Sequence, residues 1–191
     1  MAYDGAGLPD FSDIIELFVN DDYICAQTVT KGRYLASIFI LNCSKIELMI
    51  IYYTDGSCSP NPGAGGFAVI KDTELAIVGS EQMSTNIRME GRAIITALTD
   101  AAGAECQIYS DSEFWINVAT KWGVSWKANG WRKKGSDIKN LDIVQELFGL
   151  YEQSNAQLVW VRGHVGNVSN ELADQWANRA RDQKLFGKIL L

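Results

Sequence analysis

Histidine is almost missing from this sequence, with His164 alone among 191 residues, and the four cysteines (Cys25, Cys43, Cys58 and Cys106) stand far apart without a C-x-x-C pair. That scarcity argues against a zinc site and against a disulfide framework, and points to a reducing compartment. No stretch approaches the roughly 20 apolar residues of a membrane helix. The opening MAYDGAGLPD carries acids where a secretory signal carries bases. Internal repeats and low-complexity tracts are absent as well. The sequence reads as a soluble, cytoplasmic protein with no membrane partner, and a monomer is expected.

Positive charge is also scarce: 17 Lys and Arg face 23 Asp and Glu, a net charge of −6. Taken alone, that speaks against a nucleic-acid partner, but its distribution matters more than its sum. Residues 1–48 hold seven acids (Asp4, Asp10, Asp13, Glu16, Asp21, Asp22, Glu47) against three bases (Lys31, Arg33, Lys45). Residues 121–139 reverse the balance, with Lys121, Lys127, Arg132, Lys133, Lys134 and Lys139 against Asp137 alone. One basic patch therefore sits in an acidic chain. The hydrophobic share, 47%, suffices for one well-packed domain with a small appendage.

Residues 49–54 are apolar or aromatic up to Thr54, as expected of a central strand buried on both faces. After a Gly/Pro/Ser/Asn loop, GFAVIK and ELAIVGSEQ flank DTE and read as a hairpin. NIRMEGRAIITALTDA has helical spacing, with Met89, Ala93, Ala97 and Ala101 four apart and Asn86 as its N-cap. CQIYSD is a short strand ending on Asp, followed by a helix from Glu113 and a basic, tryptophan-bearing stretch to about Gly135. IKNLDIVQELFGLYEQ is helical, AQLVWVRG is a strand, and SNELADQWANRARDQ is a helix capped by Ser169 with Glu171 in its first turn. This order predicts an α/β layer with a mixed sheet.

Four acids fall at telling places. If the first strand and the strand over 106–111 lie side by side and parallel, Asp55 and Asp111 both emerge at the carboxyl edge of the sheet, the usual position for a site in open α/β folds. Glu90 points from the apolar face of its helix, one turn before Ile94, and Asp174 lies beside the small residues Ala173 and Ala177. Each alone has an ordinary explanation: strand-end aspartates open turns, and early-helix acids favour the macrodipole. Together, carboxylates on core elements are costly unless a cation neutralises them. With one histidine and no paired cysteine the ligands are all oxygen, which selects Mg²⁺ or Mn²⁺.

The motifs YTDGSCSPNPGAGG, TNIRMEG, IYSDSEFW and RGHVGNVSNELAD, in that order, resemble those of type 1 ribonuclease H, over about residues 49–184. The resemblance implies a ribonuclease H-like fold, a five-stranded mixed sheet flanked by helices, and an endonuclease that cuts the RNA strand of an RNA/DNA hybrid. It implies two Mg²⁺ ions, replaceable by Mn²⁺, held about 4 Å apart by Asp55, Glu90, Asp111 and Asp174. It gives His164 a part in proton transfer or product release. It places Gly56, Ser57, Cys58, Asn61 and Asn86 along the minor groove, where a protein reads the 2′-hydroxyl. Thr85 and Asn86 would hold a phosphate of the DNA strand, and Asn170 joins the substrate-binding residues. The sequence departs from the common pattern at Ile87, where Asn or Gln is frequent, and Glu113 adds another acid near the groove. Two other classes stay open: a non-catalytic hybrid-binding module, and a nuclease of the same broad fold acting on DNA.

In TKWGVSWKANGWRKKGSDIKN, Trp122, Trp126 and Trp131 are interleaved with bases. The tryptophans are expected to pack on the domain. The resemblance to the family's basic protrusion assigns Lys127, Arg132, Lys133 and Lys134, together with the three tryptophans, to the substrate-binding surface, through salt-sensitive contacts to the DNA backbone.

Residues 1–48 form a separate extension of unknown role, preceding a catalytic domain over 49–191. DFSDIIELFV places Phe11, Ile14, Ile15 and Phe18 on one helical face after an Asp10 cap, and YICAQTV and YLASIFIL flank TKGR like a hairpin. A small αββ appendage is expected. Met49 stands immediately before IIYYTDGS, where many relatives begin, so start-site choice is the alternative. The tail LFGKILL is read as a packing strap.

Overall fold

The computed structural model describes the backbone of residues 15–20, 23–30, 33–35 and 41–42, and backbone and side chains of 49–133, 135–163 and 167–191. Backbone contacts divide the chain into two compact units, Met1–Leu48 and Met49–Leu191.

In the first unit, β1 (Ile15–Asn20), β2 (Tyr23–Thr30), β3 (Arg33–Leu35) and β4 (Leu41–Asn42) form an antiparallel sheet, with β1, β3 and β4 all pairing with β2. The hairpin around TKGR is present. The helix expected over residues 11–18 is corrected: Ile15–Asn20 is a strand, paired from Ile15↔Thr28 to Asn20↔Tyr23. Ile15, Leu17 and Val19 alternate with Glu16 and Asn20, a period of two that a full-length partner strand rewards with backbone hydrogen bonds. Residues 10–14, including the expected Asp10 cap, lie outside the described residues.

In the second unit, β5 (Ile50–Ser59), β6 (Gly63–Lys71) and β7 (Leu75–Ser84) make an antiparallel meander. Helix α1 (Asn86–Ala101) then crosses to β8 (Cys106–Ser110), which pairs parallel to β5. A helical stretch follows, made of α2 (Glu113–Asn117), a π-helical turn (Val118–Trp122) and α3 (Gly123–Ala128). After α4 (Leu141–Glu152), β9 (Ala156–Trp160) pairs parallel to β8, and α5 (Val168–Gln183) leads to β10 (Gly187–Leu190). The sheet order is β10-β7-β6-β5-β8-β9, six strands where five were expected. The sixth is the tail: β10 lies antiparallel on β7, satisfying an edge that would otherwise present unpaired backbone groups.

The central strands of the sheet are covered on both faces. On one, Tyr52, Ile108, Ile94, Trp115, Ile143 and Leu147 join β5, β8, α1, α2 and α4 in a closed core. On the other, Ala68, Ile70, Ala76 and Val78 meet Ala173, Ala177 and Ala180 of α5. Each fully buried Ile or Leu contributes about 1.5–3 kcal/mol. The small contact residues of α5 let that helix lie close. At Gly66 a Cβ would collide with the Ala177 carbonyl and the Arg181 nitrogen, so only a glycine lets β6 and α5 approach this far.

Two helix starts differ from expectation by one or two residues. The N-cap of α1 is Thr85, with extended φ −134° and ψ 157°, and Asn86 is the first helical residue. The N-cap of α5 is Asn167, not Ser169; its side chain accepts from the Asn170 backbone nitrogen at 3.2 Å. In both places several cap-competent residues adjoin, and local side-chain bonds choose among them: the Asn86 carboxamide is taken by Glu90 one turn on, and Asn167 reaches the Asn170 nitrogen.

Candidate active site

The approach of β5 to α1 sets up the site. A Cβ on Gly56 would overlap the backbone of Met89 and Glu90, so strand and helix touch main chain to main chain just beyond Asp55. Parallel pairing up to Thr54↔Ser110 brings the ends of β5 and β8 level, so that Asp55 and Asp111 emerge together as expected. Helix α5, seated on β6, delivers Asp174. Asp55, Glu90, Asp111 and Asp174 all line one cavity of about 430 Å³, with Gly56, Ser57, Asn86, Ile87, Ser112, Glu113 and Phe114 completing its wall.

The acids are held in different ways. Asp55 is 8% exposed and accepts from the Gly56 nitrogen at 2.7 Å. Burial, and then the charge of Asp111, push its carboxyl up to about 8, against the opposing Gly56 hydrogen bond; Asp174 and Glu90 push the same way. Glu90 is raised too, chiefly by burial, although Ser112 Oγ donates to its Oε2 at 2.5 Å and Asn86 Nδ2 to its Oε1 at 2.7 Å. The Asp111 carboxylate abuts Gly163, where a Cβ would stand 2.5 Å from Oδ2. Its backbone carbonyl accepts from Trp160 Nε1 at 3.2 Å. Asp174 Oδ1 accepts from Asn178 Nδ2 at 3.1 Å.

No Lys or Arg is among the described residues lining this cavity. Four carboxylates converge there, Asp55 and Glu90 pushed toward their neutral forms by burial, and their all-oxygen chemistry suits a hard divalent ion. Among the described residues no three acidic, cysteine or histidine side chains close up as a ready-made metal cage. The carboxylates instead stand around an open space.

The other expected site residues are dispersed. Cys58 lies outside the cavity lining, its Sγ directed to the carbonyls of Pro60, Gly63 and Ser84. Asn61 Oδ1 accepts from the Asn86 nitrogen at 3.3 Å. Thr85 Oγ1 and Asn170 Oδ1 are buried and have no hydrogen-bond partner among the described residues. Trp122 and Trp126 lie tilted against each other at 5.8 Å, and Trp131 packs edge-on against Phe148 at 6.0 Å; Trp126 and Trp131 pack on the core as expected, while Trp122 stays 38% exposed. Phe114, at 5.8 Å from Trp122, joins that stretch to the cavity wall. Lys127 pairs with Glu152 at 2.6 Å, while Arg132 and Lys133 are exposed. His164 and Lys134 lie outside the described residues.

Sequence reasoning missed Ser112, Phe114, Asn178 and Arg181. Asn178 and Arg181 follow Asp174 at helical spacings of four and seven, a signal that was there to be read.

A mixed sheet with a carboxylate-lined cavity at the ends of its central parallel strands, and helices on both faces, defines an α/β protein of the ribonuclease H-like fold. The RNase H family pattern matches residues 47–182. Ribonuclease H of Francisella tularensis subsp. novicida is 43% identical over 145 residues, covering 73% of this chain and 94% of the relative. Ribonuclease H of Methylorubrum extorquens is 39% identical over 142 residues, and the match spans 72% of this chain and 62% of that relative's length. The crystal structure of LC9-RNase H1, a type 1 RNase H with the type 2 active-site motif, superposes with a TM-score of 0.67 at 25% identity, covering 75% of this chain and 77% of that one. The chain belongs to the ribonuclease H family, whose members use divalent metal ions to hydrolyse RNA in RNA/DNA hybrids. Among the described residues no helix is long and apolar enough to cross a membrane.

Proposed function

We propose that the second unit, residues 49–191, is a catalytic domain that cuts the RNA strand of RNA/DNA hybrids endonucleolytically, leaving 5′-phosphate and 3′-hydroxyl ends. The observation that carries this is the cavity whose wall brings Asp55, Glu90, Asp111 and Asp174 together at the ends of β5 and β8. These four would hold two Mg²⁺ ions, or Mn²⁺ in their place, which when bound activate the attacking water and stabilise the leaving 3′ oxygen. The protein's own part is placement. Asn86 and Ser112 fix both oxygens of Glu90, and burial of Asp55 favours its neutral form, a bias that a nearby cation opposes.

Gly56, Ser57 and Asn86, on the cavity wall, lie along the minor groove of the hybrid, with Cys58 and Asn61 in the adjoining turn and Asn170 on α5. Thr85, with a buried hydroxyl lacking a partner among the described residues, and Asn86 at the start of α1 take a phosphate of the DNA strand. Lys127, Arg132, Lys133 and Lys134 meet the backbone beyond, on a platform braced by Trp122, Trp126 and Trp131. His164 assists proton transfer or product release. Residues 1–48 are an appendage without an assigned part in the chemistry, and the protein works as a cytoplasmic monomer.

Incubation with Mg²⁺ and labelled RNA/DNA hybrid, DNA duplex and RNA duplex, beside the Asp55→Asn variant, tests the proposal. Cleavage of the hybrid's RNA strand alone, lost in the variant, is expected. Binding without cleavage by the unmodified protein, or preferential cutting of DNA, overturns it.

A further inference from the structure

Asp174 reaches the cavity from α5, and its orientation is governed by side chains behind it. Ser57 and Gly66 are cross-strand partners on β5 and β6. Because Gly66 is bare, α5 rests directly on it at Ala177 and Arg181, which brings that turn of the helix beside Ser57. There Arg181 Nη1 donates to Ser57 Oγ, and to Asn178 Oδ1 at 2.8 Å, while Ser57 Oγ donates to the same Oδ1 at 2.7 Å. Asp182 accepts from the other side of the guanidinium, from Nε at 2.7 Å and Nη2 at 3.1 Å.

Two donors converging on one end of the Asn178 carboxamide decide which end is oxygen. Its nitrogen must then face the opposite way, where it donates to the Asp174 carbonyl at 2.9 Å and to Asp174 Oδ1 at 3.1 Å. The bond to the carbonyl is ordinary helix back-bonding. The bond to the carboxylate is not needed by the helix. It fixes one oxygen of an acid on the cavity wall.

We propose that Asn178, locked by Arg181 and Ser57, is a positioning residue for divalent-cation binding: it pins Asp174 Oδ1 so that Oδ2 is presented to the cavity. This rests on the reading that Asp174 is a metal ligand. Asn178 acts through Asp174 and touches neither substrate nor ion. Partners of this kind, one shell out from a ligand, typically govern metal affinity by about 10- to 100-fold.

Charge and positioning predict opposite signs for Arg181, which makes the proposal sharp. By Coulomb's law, removing a cation near four carboxylates tightens binding of Mg²⁺. If the guanidinium instead serves to hold the Asn178 carboxamide, removing it weakens binding.

The test uses the full chain and two variants, Asn178→Ala and Arg181→Met, with Mg²⁺ binding measured by calorimetry on the free protein and, separately, the Mg²⁺ midpoint for hybrid cleavage. Asn178→Ala is expected to weaken both by about tenfold, with kcat recovering at high Mg²⁺ and KM for the hybrid unchanged. Arg181→Met is expected to weaken both several-fold, and the double variant to be no worse than Asn178→Ala alone, because the two act through one carboxamide. A folded Asn178→Ala protein whose Mg²⁺ affinity stays within twofold overturns the proposal. Should that variant fail to fold, Arg181→Met decides: weaker binding supports the proposal, and unchanged or tighter binding overturns it. An unmodified protein that neither binds Mg²⁺ nor cleaves hybrid overturns the underlying function instead, a separate outcome.

Discussion

Gly56 and Glu90 meet main chain to main chain: a Cβ on the glycine would lie inside the peptide that joins Met89 to Glu90. This contact keeps two of the four carboxylates, Asp55 and Glu90, on elements that cannot shift independently. Gly56→Ala forces them apart, and overpacking of this kind costs about 1–3 kcal/mol. Denaturant melts should register that loss. Hybrid cleavage by the protein that remains folded should fall well over tenfold, since displacements of about 1 Å cost about 10²-fold.

Cations should stabilise this protein through the same acids. Ligand binding to the native state alone adds about 2.7 kcal/mol at a hundred times the dissociation constant, so saturating Mg²⁺ is expected to raise Tm. Asp55→Asn removes a negative charge from the group, and its Tm should respond far less to the ion. An equal Mg²⁺ response in both proteins would remove Asp55 from the ligand set.

The pair Arg88–Asp142 joins α1 to α4 through hydrogen bonds of 3.0 and 2.6 Å. The Arg88 guanidinium holds the Asp142 carboxyl down at about 2, below the ordinary 3.8. A depressed carboxylate stabilises the fold above its unfolded pKa and loses that contribution as pH falls through the folded value, here between about 4 and about 2. Asp142 is 58% exposed, so after solvent screening the pair contributes only about 0.5 kcal/mol. Asp142→Asn should lower Tm by about 1–2 °C at neutral pH and by progressively less as pH falls from about 4 toward about 2, with hybrid cleavage unchanged.

Arg132 and Lys133, exposed beyond the braced tryptophans, should act as phosphate contacts. Replacing both with alanine is expected to raise KM for the hybrid and to reduce the slope of log affinity against log salt by about 1.5 to 2. A slope equal to that of the unmodified protein would assign these bases to solvent.

Much of the site was legible because chemistry and pattern coincided. The apolar run ending at Asp55, and the strand ending beside Asp111, announced where two carboxylates would emerge, and parallel pairing of β5 with β8 joined them. The segment around Phe11, Ile14, Ile15 and Phe18 misled because helical and alternating patterns overlap there; the long partner strand β2 decides in favour of strand at Ile15–Asn20. Helix starts slipped where Thr85 and Asn86, or Asn167 and Ser169, competed for one role. The lock on Asp174 was hardest to foresee: Ser57 and Arg181 are 124 positions apart, and what joins them is the missing side chain of Gly66.

The parallel pairing of β5 and β8 has a kinetic meaning. Thr54 and Ser110 become neighbours only after the meander and α1 between them have closed a long loop, and such non-local contacts form late in folding. The cavity is thus among the last features a refolding chain acquires, and a species with native-like helices but an unpaired β8 should be inert toward nucleic acid. Amide protection acquired last at this seam during refolding, with activity recovering in step with it, is the signature of a nuclease that cannot cut until it is fully assembled.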